Sequence, residues 1–442
     1  MPSKKKIALA AAVAAAVMAP SAFATNGYFS HGYGMKAKGM AGAATALADD
    51  AFGGANNPAS MVWVGERMDI GLDVFSPNRT ASRSGSTGGF AVGDGKSESD
   101  NTAFYVPEIG YNTMLNATMA FGVTVYGNGG MNTDYPGKVI NPSPTCAAFP
   151  GGLATNANLL CGDGALGVNL SQLIVAPTFS LKAGSNNSFG VAPLFGYQQF
   201  KAYGLQGFSG FSTDATKLTN NGSDTATGWG LRVGWMGKIS DAVSLGAAYS
   251  TKIDMTKFEQ YKGLFAEYGD FDIPANYSIG AAFKAGQNTT IALDFQHIDY
   301  SGVKSVANSS RNYGTTTTNS LGPDNGRGFG WSDVDVYKLG VEYKSSDKMT
   351  LRAGYSKGDN PIQARDVTFN ILAPAVIETH ITLGFTYAMD KSSELTLAFM
   401  HAPSNSVSGA SLYDDFLGAG AGGTEKIEMD QNSLGVSWSQ KW

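Results

Sequence analysis

The chain has 442 residues, 31 Lys+Arg against 36 Asp+Glu for a formal net charge of −5, and 57 glycines, with only 15% charged residues beside 11% aromatics. The acidic balance argues against a nucleic-acid partner, which needs a basic footprint. The low charged fraction is unlike a soluble enzyme, where about 25% is usual. Two cysteines with no CxxC spacing and four scattered histidines suggest neither a metal cluster nor any other cofactor.

Residues 1–24 read as an export signal: Lys4, Lys5 and Lys6, an apolar run from Ile7 to Ala19, then Ala22-Phe23-Ala24. Cleavage near Ala24 removes three lysines and takes the formal charge from −5 to −8. The run is too short and too rich in alanine to span a bilayer, and no window of about 18 apolar residues follows it. An exported chain of this kind is either soluble outside the cytoplasm or a membrane β-barrel.

The stretch from Thr25 to Ser60 is rich in Gly and Ala and ends in Asn56-Asn57-Pro58-Ala59. Its side chains are too small to build a core, so something larger must enclose it. Pro58 fixes its own φ and turns Asn57 away from helix, which leaves Asn57 able to bond a neighbouring wall. Gly53 and Gly54 beside Phe52 read as a hinge with an apolar knob. The plainer reading of Asn57-Pro58-Ala59 is an ordinary turn before the first strand.

From Glu66 onward, apolar residues alternate with small or polar ones at period two. Leu231, Val233 and Trp235 alternate with Gly230, Arg232 and Gly234; Tyr337, Leu339, Val341 and Tyr343 alternate with Lys338, Gly340 and Glu342. Each run is about ten residues, the length of a tilted strand crossing a bilayer. Tight connections such as Gly184 to Ser188 and Gly286 to Asn288 alternate with long ones. The long ones are Ser76 to Asp100, Gly127 to Leu170, Ala202 to Ala226, Thr256 to Asp270, Gly302 to Trp331, Gly358 to Ala375 and Pro403 to Glu425. This is the asymmetry of an outer-membrane barrel, with short periplasmic turns and longer external loops. Roughly fourteen strands are expected, an even number that puts both ends in the periplasm. Leu434, Val436, Trp438 and terminal Trp442 share one parity, as in an alternating last strand. The expected fold is all-β, a transmembrane antiparallel barrel over residues 61–442, against a soluble all-β sandwich.

Parity then sends the apolar set to lipid and the other set, with Arg232, Asp294, Gln296, Lys338, Glu342 and Arg352, to the lumen. Arg232 and Lys338 have two readings. They pair structurally with Glu342, Asp294, Asp49 or Asp50, or they anchor a ligand carboxylate, for which Arg offers a bidentate fork. The external loop from Gly127 to Leu170 carries Leu159, Leu160, Leu166 and Val168, which form a capture groove completed by Phe208 and Phe211, or simply pack the loop. A Cys146–Cys161 disulfide would staple that loop, worth about 3 kcal/mol in the entropic account, with two free thiols as the alternative. Gly354-Tyr355-Ser356-Lys357-Gly358 matches a nucleophile elbow, but no helix follows, so catalysis is not expected.

The opening stretch resembles the start of the FadL family of outer-membrane transporters for hydrophobic compounds. The resemblance rests on Asn26-Gly27, on Gly39-Met40-Ala41-Gly42-Ala43-Ala44, on Ala48-Asp49-Asp50-Ala51 and on Asn57-Pro58-Ala59. Trp331-Ser332-Asp333, Leu351-Arg352-Ala353-Gly354-Tyr355 and Thr382-Leu383-Gly384-Phe385 extend it over nearly the whole mature chain. It implies a barrel of fourteen strands whose lumen holds an N-terminal hatch, here residues 25–60, gated through Phe52, Gly53, Gly54, Asn57, Pro58 and Ala59. It also implies a hydrophobic ligand caught by external loops, held inside the barrel and released sideways where the third strand, here about Ala117 to Tyr126, bends at Gly122 or the Gly127, Gly129, Gly130 cluster. The expected function is passive uptake of long-chain fatty acids or hydrocarbons by a monomer in contact with outer-membrane lipid. A general porin, a barrel lipase and an adhesin are the alternatives.

Overall fold

The computed structural model describes residues 25–140, 143–149, 151–312 and 320–442, and in it the alternating segments pair into one antiparallel sheet. The export signal expected over residues 1–24 lies outside the described residues. The sheet has 16 strands, of which Gly95–Glu98 and Asp254–Met255 are short flaps pairing on one side only; fourteen form the wall. In chain order these are β1 (Arg67–Ser84), β2 (Phe104–Asn116), β3 (Met119–Tyr135), β4 (Leu166–Ala183), β5 (Asn187–Tyr203), β6 (Asp224–Lys238) and β7 (Val243–Ser250). They continue with β8 (Asn276–Ala285), β9 (Thr289–Ile298), β10 (Val334–Lys344), β11 (Met349–Gly358), β12 (Thr379–Ala388), β13 (Ser393–Ala410) and β14 (Thr424–Lys441).

Each strand pairs with its neighbour in sequence, and β14 returns to pair with β1 from Arg67↔Lys441 to Ser84↔Thr424. Closure removes the open edges that an antiparallel sheet would otherwise expose. Alternation sets the facing. Leu231, Val233, Ile279, Leu293, Leu339, Leu383, Leu434 and Val436 are exposed on the outer face, whereas Arg232, Asp294, Lys338 and Arg352 are buried on the inner one. A continuous outer belt of large apolar side chains is stable against acyl chains and not against water.

Three connections differ from the sequence reading. β1 runs on to Ser84, paired with β14 throughout, past the loop start expected at Ser76. The third strand does not end at Tyr126; it runs on through the glycine cluster to Tyr135, and β4 starts at Leu166, so Leu166 and Val168 lie in the wall rather than in a loop. Residues 124–133 are buried without alternation. A strand covered on both faces loses the period-two signature that sequence reading depends on. Pro403 lies inside β13, at a register shift between Ala402 and Asn405. A proline that cannot donate to the ladder is accommodated at such an irregularity.

Candidate functional site

Residues 25–60 are almost entirely buried and meet inner-face residues from Asp73 on β1 round to Gly435 on β14. The contact is close because the facing wall positions are glycines. A Cβ at Gly110, Gly190, Gly246, Gly354 or Gly435 would overlap Ala51, Pro58, Thr45, Met40 or Met35, respectively. Gly53 and Gly54 work the same way from the other side: a Cβ would strike Ser60 and Met61, or Thr124 and Thr178. Their bareness serves close packing here. Phe52 is buried next to Gly34.

Asn57 joins local and distant structure. Its side-chain oxygen accepts from the Ala59 N–H at 3.0 Å and caps the 3₁₀ helix Pro58–Trp63, with Pro58 at the first position, where no N–H is missed. Its amide donates to the carbonyls of Thr45 at 2.8 Å and of Trp235, on β6, at 2.9 Å.

Charged contacts complete the seat. Lys36 pairs with Glu394 at 2.6 Å, and Lys38 pairs with Asp73 at 2.8 Å and Glu108 at 3.5 Å. Arg67 links Asp69 at 2.6 Å and Glu394 at 2.9 Å. Sequence reading missed these pairs, although two lysines in an otherwise small-residue stretch were the available signal. Among the described residues Arg232 has no carboxylate partner. It donates to Ser250 Oγ at 2.5 Å, to the Gly54 carbonyl at 2.9 Å and to that of Ala55. Lys338 donates to the His31 carbonyl at 3.3 Å, while Asp294 accepts from the Ala44 and Thr45 N–H groups at 2.8 Å each. Glu342 pairs with Arg352 at 2.6 Å. Both candidate anchors are thus occupied with the N-terminal segment. Asp50, half-buried, has its carboxyl pushed up to about 7, by loss of water first and by the charge of Asp69 second.

β3 parts from β2 partway along its length. Its pairing with β2 stops at Ile109↔Val125, while its pairing with β4 continues past a register shift at Gly127/Gly129 up to Tyr135↔Leu166. The freed edge bonds the N-terminal segment instead: Ser30 N–H donates to the Asn128 carbonyl and Gly130 N–H to that of Tyr28, both at 3.1 Å. The Tyr33 hydroxyl donates to Asn128 Oδ1 at 3.1 Å. Gly129 is needed there, because a Cβ would overlap the Tyr28 carbonyl.

At the external end, Leu160, Val168 and Phe208 line one apolar cavity with Phe200, Phe265 and Phe369. Leu159 and Leu166 belong to the same buried cluster without lining the cavity, and Phe211 packs against it. Cys146 and Cys161 are bridged. The cavity measures about 30 Å³, room for about two waters. The same buried apolar cluster that holds the cavity-lining residues also contains Tyr28, Phe29, Tyr126, Met131, Phe104 and Val106, the last two on the part of β2 that lies beyond its last pair with β3.

Ser356 lies near the end of β11, and its hydroxyl is 3.0 Å from His380 Nδ1. Both are buried on the inner face, and among the described residues no carboxylate bonds His380. That arrangement lacks the strand–turn–helix of a nucleophile elbow.

The family described as "Outer membrane protein transport protein (OMPP1/FadL/TodX)" matches residues 10–415. Among solved structures, the toluene transporter TodX of P. putida has a TM-score of 0.67 at 19% identity, covering 93% of this chain and 99% of its own. The toluene transporter TbuX of Ralstonia pickettii has a TM-score of 0.61 at 18% identity, with 93% and 99% covered. A FadL homologue of Pseudomonas aeruginosa has a TM-score of 0.64 at 15% identity, with 94% and 99% covered. At these identities the likeness is one of fold. No curated protein sequence matches the chain.

Proposed function

This chain belongs to the OMPP1/FadL/TodX family of outer-membrane transport proteins, and on that premise we propose that it takes up long-chain fatty acids or hydrocarbons passively, releasing them sideways into the membrane. It is an outer-membrane channel and not an enzyme, in line with a family of transporters. TodX and TbuX are toluene transporters, which favours a hydrophobic cargo here.

Residues 25–60 act as a hatch that closes the lumen. The external loops around Leu160, Val168 and Phe208 catch the ligand. It then moves along the apolar cluster past Tyr28, Phe29 and Tyr126 and leaves where β3 parts from β2. The observation that carries this reading is the continuity of that cluster from the loop cavity to Phe104 and Val106. An apolar solute gains about 0.8 kcal/mol for each methylene it keeps out of water. A straight descent would instead cross Lys36, Lys38, Arg67 and their carboxylates, where an apolar solute would strip charged groups of their partners.

A general porin would need an open, hydrated lumen, and the buried N-terminal segment speaks against it. The test is uptake of a labelled long-chain fatty acid and a labelled aromatic hydrocarbon by cells with and without the gene. Uptake of either that depends on the gene supports the proposal. Equal uptake of both with and without it removes the proposal.

A further inference from the structure

Five strands that run toward the short-turn rim carry a lysine as their last or second-last residue, at the same ladder position. The backbone N–H of Lys182, Lys238, Lys284, Lys344 and Lys441 donates to the carbonyl of Thr118, Asn186, Ala242, Asn288 and Ser392, respectively, at 2.7–2.8 Å. Each accepting residue is the last one before a strand begins. All five lysines share parity with inner-face residues such as Ser180, Met236 and Ala282, so their ammonium groups ring the inner mouth of the barrel.

Two of the five are neutralised: Lys344 by Asp347 at 3.3 Å and Lys441 by Glu394 at 3.0 Å. Among the described residues, Lys182, Lys238 and Lys284 have no carboxylate within salt-bridge distance. These three follow one another on β4, β6 and β8. Trp63, the last residue of the Pro58–Trp63 helix, reaches among them. Lys182 Nζ lies 4.4 Å and Lys238 Nζ 4.0 Å from the centre of its ring. The indole N–H donates to Ser188 Oγ at 2.8 Å, which fixes the ring plane. An indole face attracts ammonium groups but takes none of their hydrogen bonds. It therefore holds two cations close together with their donors still available.

We infer that Lys182 and Lys238, held over Trp63, together with Lys284 at the same ladder position on β8, form a binding site for an oxyanion, a phosphate or carboxylate, at the periplasmic mouth. Like charges brought together without a carboxylate repel one another, and a bound anion relieves that repulsion. Lysine suits the task because it offers a compact charge with three rotatable donors. The oxyanion has two sources. It is either free in the periplasm or the phosphate of an anionic lipid reaching round the rim.

The experiment uses the full mature chain labelled with 5-fluorotryptophan and followed by ¹⁹F NMR. The Trp63 resonance is identified by its loss in Trp63→Phe. Inorganic phosphate is titrated in zwitterionic detergent, and nanodiscs of phosphatidylglycerol are compared with nanodiscs of phosphatidylcholine in phosphate-free buffer. A saturable shift of Trp63 with phosphate, reversed by added salt, identifies a free anion. A shift only in phosphatidylglycerol identifies a headgroup. In either arm, Lys182→Gln with Lys238→Gln weakens the response about tenfold or more, while Lys182→Arg with Lys238→Arg keeps it. No saturable shift in both arms overturns the inference, as does a Gln pair that responds like the parent. The Arg pair and the parent titration keep the test decisive even where the Gln pair fails to fold.

Discussion

Asn57 makes three hydrogen bonds with one side chain, one closing a helix cap and two tying distant backbone. Asn57→Ala should cost about 1 kcal/mol for the lost cap and leave the Thr45 and Trp235 carbonyls short of a partner. The expected result is faster hydrogen exchange across residues 25–60, read by mass spectrometry, with the barrel still assembled. Pro58→Ala should also leave the barrel assembled and slow uptake, because the cap stays but the fixed φ that holds it is lost; unchanged uptake would remove Pro58 from gating. Asp50 gives a pH dependence. Its carboxyl is pushed up to about 7, so the seated segment prefers the protonated form. That preference favours the fold below the ordinary carboxylate range and is lost as pH rises from about 4 through about 7. Thermal unfolding should therefore occur at a higher temperature at pH 5 than at pH 8, and Asp50→Asn should shrink the difference. That Pro58 turns Asn57 away from helix and leaves it able to bond the wall was legible because the geometry of an Asn-Pro pair is local; the cap on the Pro58–Trp63 helix was not read. The partner of Lys36 was not, since Glu394 lies 358 residues away and only closure of the barrel brings it round.

At the scale of elements, the N-terminal segment and the wall fit because backbone meets backbone across bare glycines. Gly246→Val should push Thr45 off β7, since a Cβ there would overlap the Thr45 carbonyl. The expected outcome is a barrel that migrates as folded on cold gels, with residues 25–60 newly sensitive to protease; unchanged protection would mean that the wall yields instead. Most strands could be read directly from alternation, as β6 and β10 were. β3 could not be read to its end. Its residues 124–133 are all buried, with Tyr28 and Phe29 against Gly129 and Gly130, so the pattern fades there. The glycines at 127, 129 and 130 coincide with a register shift in the strand, whereas in the sequence they looked like the start of a loop.

For the whole molecule, a closed wall of fourteen strands with an apolar belt leaves two ways across, down past the ion pairs or out through the side. Period-two alternation and the short–long rhythm of connections gave the closed wall from sequence. They did not give the whole external cavity: Leu160, Val168 and Phe208 were grouped from the apolar residues of their loops, but Phe369 comes from a distant segment that joins them only after closure. Lateral release is the claim on which the rest depends. The most direct measurement joins β2 to β3 beyond their last pair, through Val106→Cys and Gly127→Cys and a reducible bifunctional reagent, in cells that take up a labelled hydrophobic substrate. The account predicts that uptake falls to the level of cells lacking the protein and returns on reduction. Uptake that continues at the parental rate with the two strands joined would contradict it.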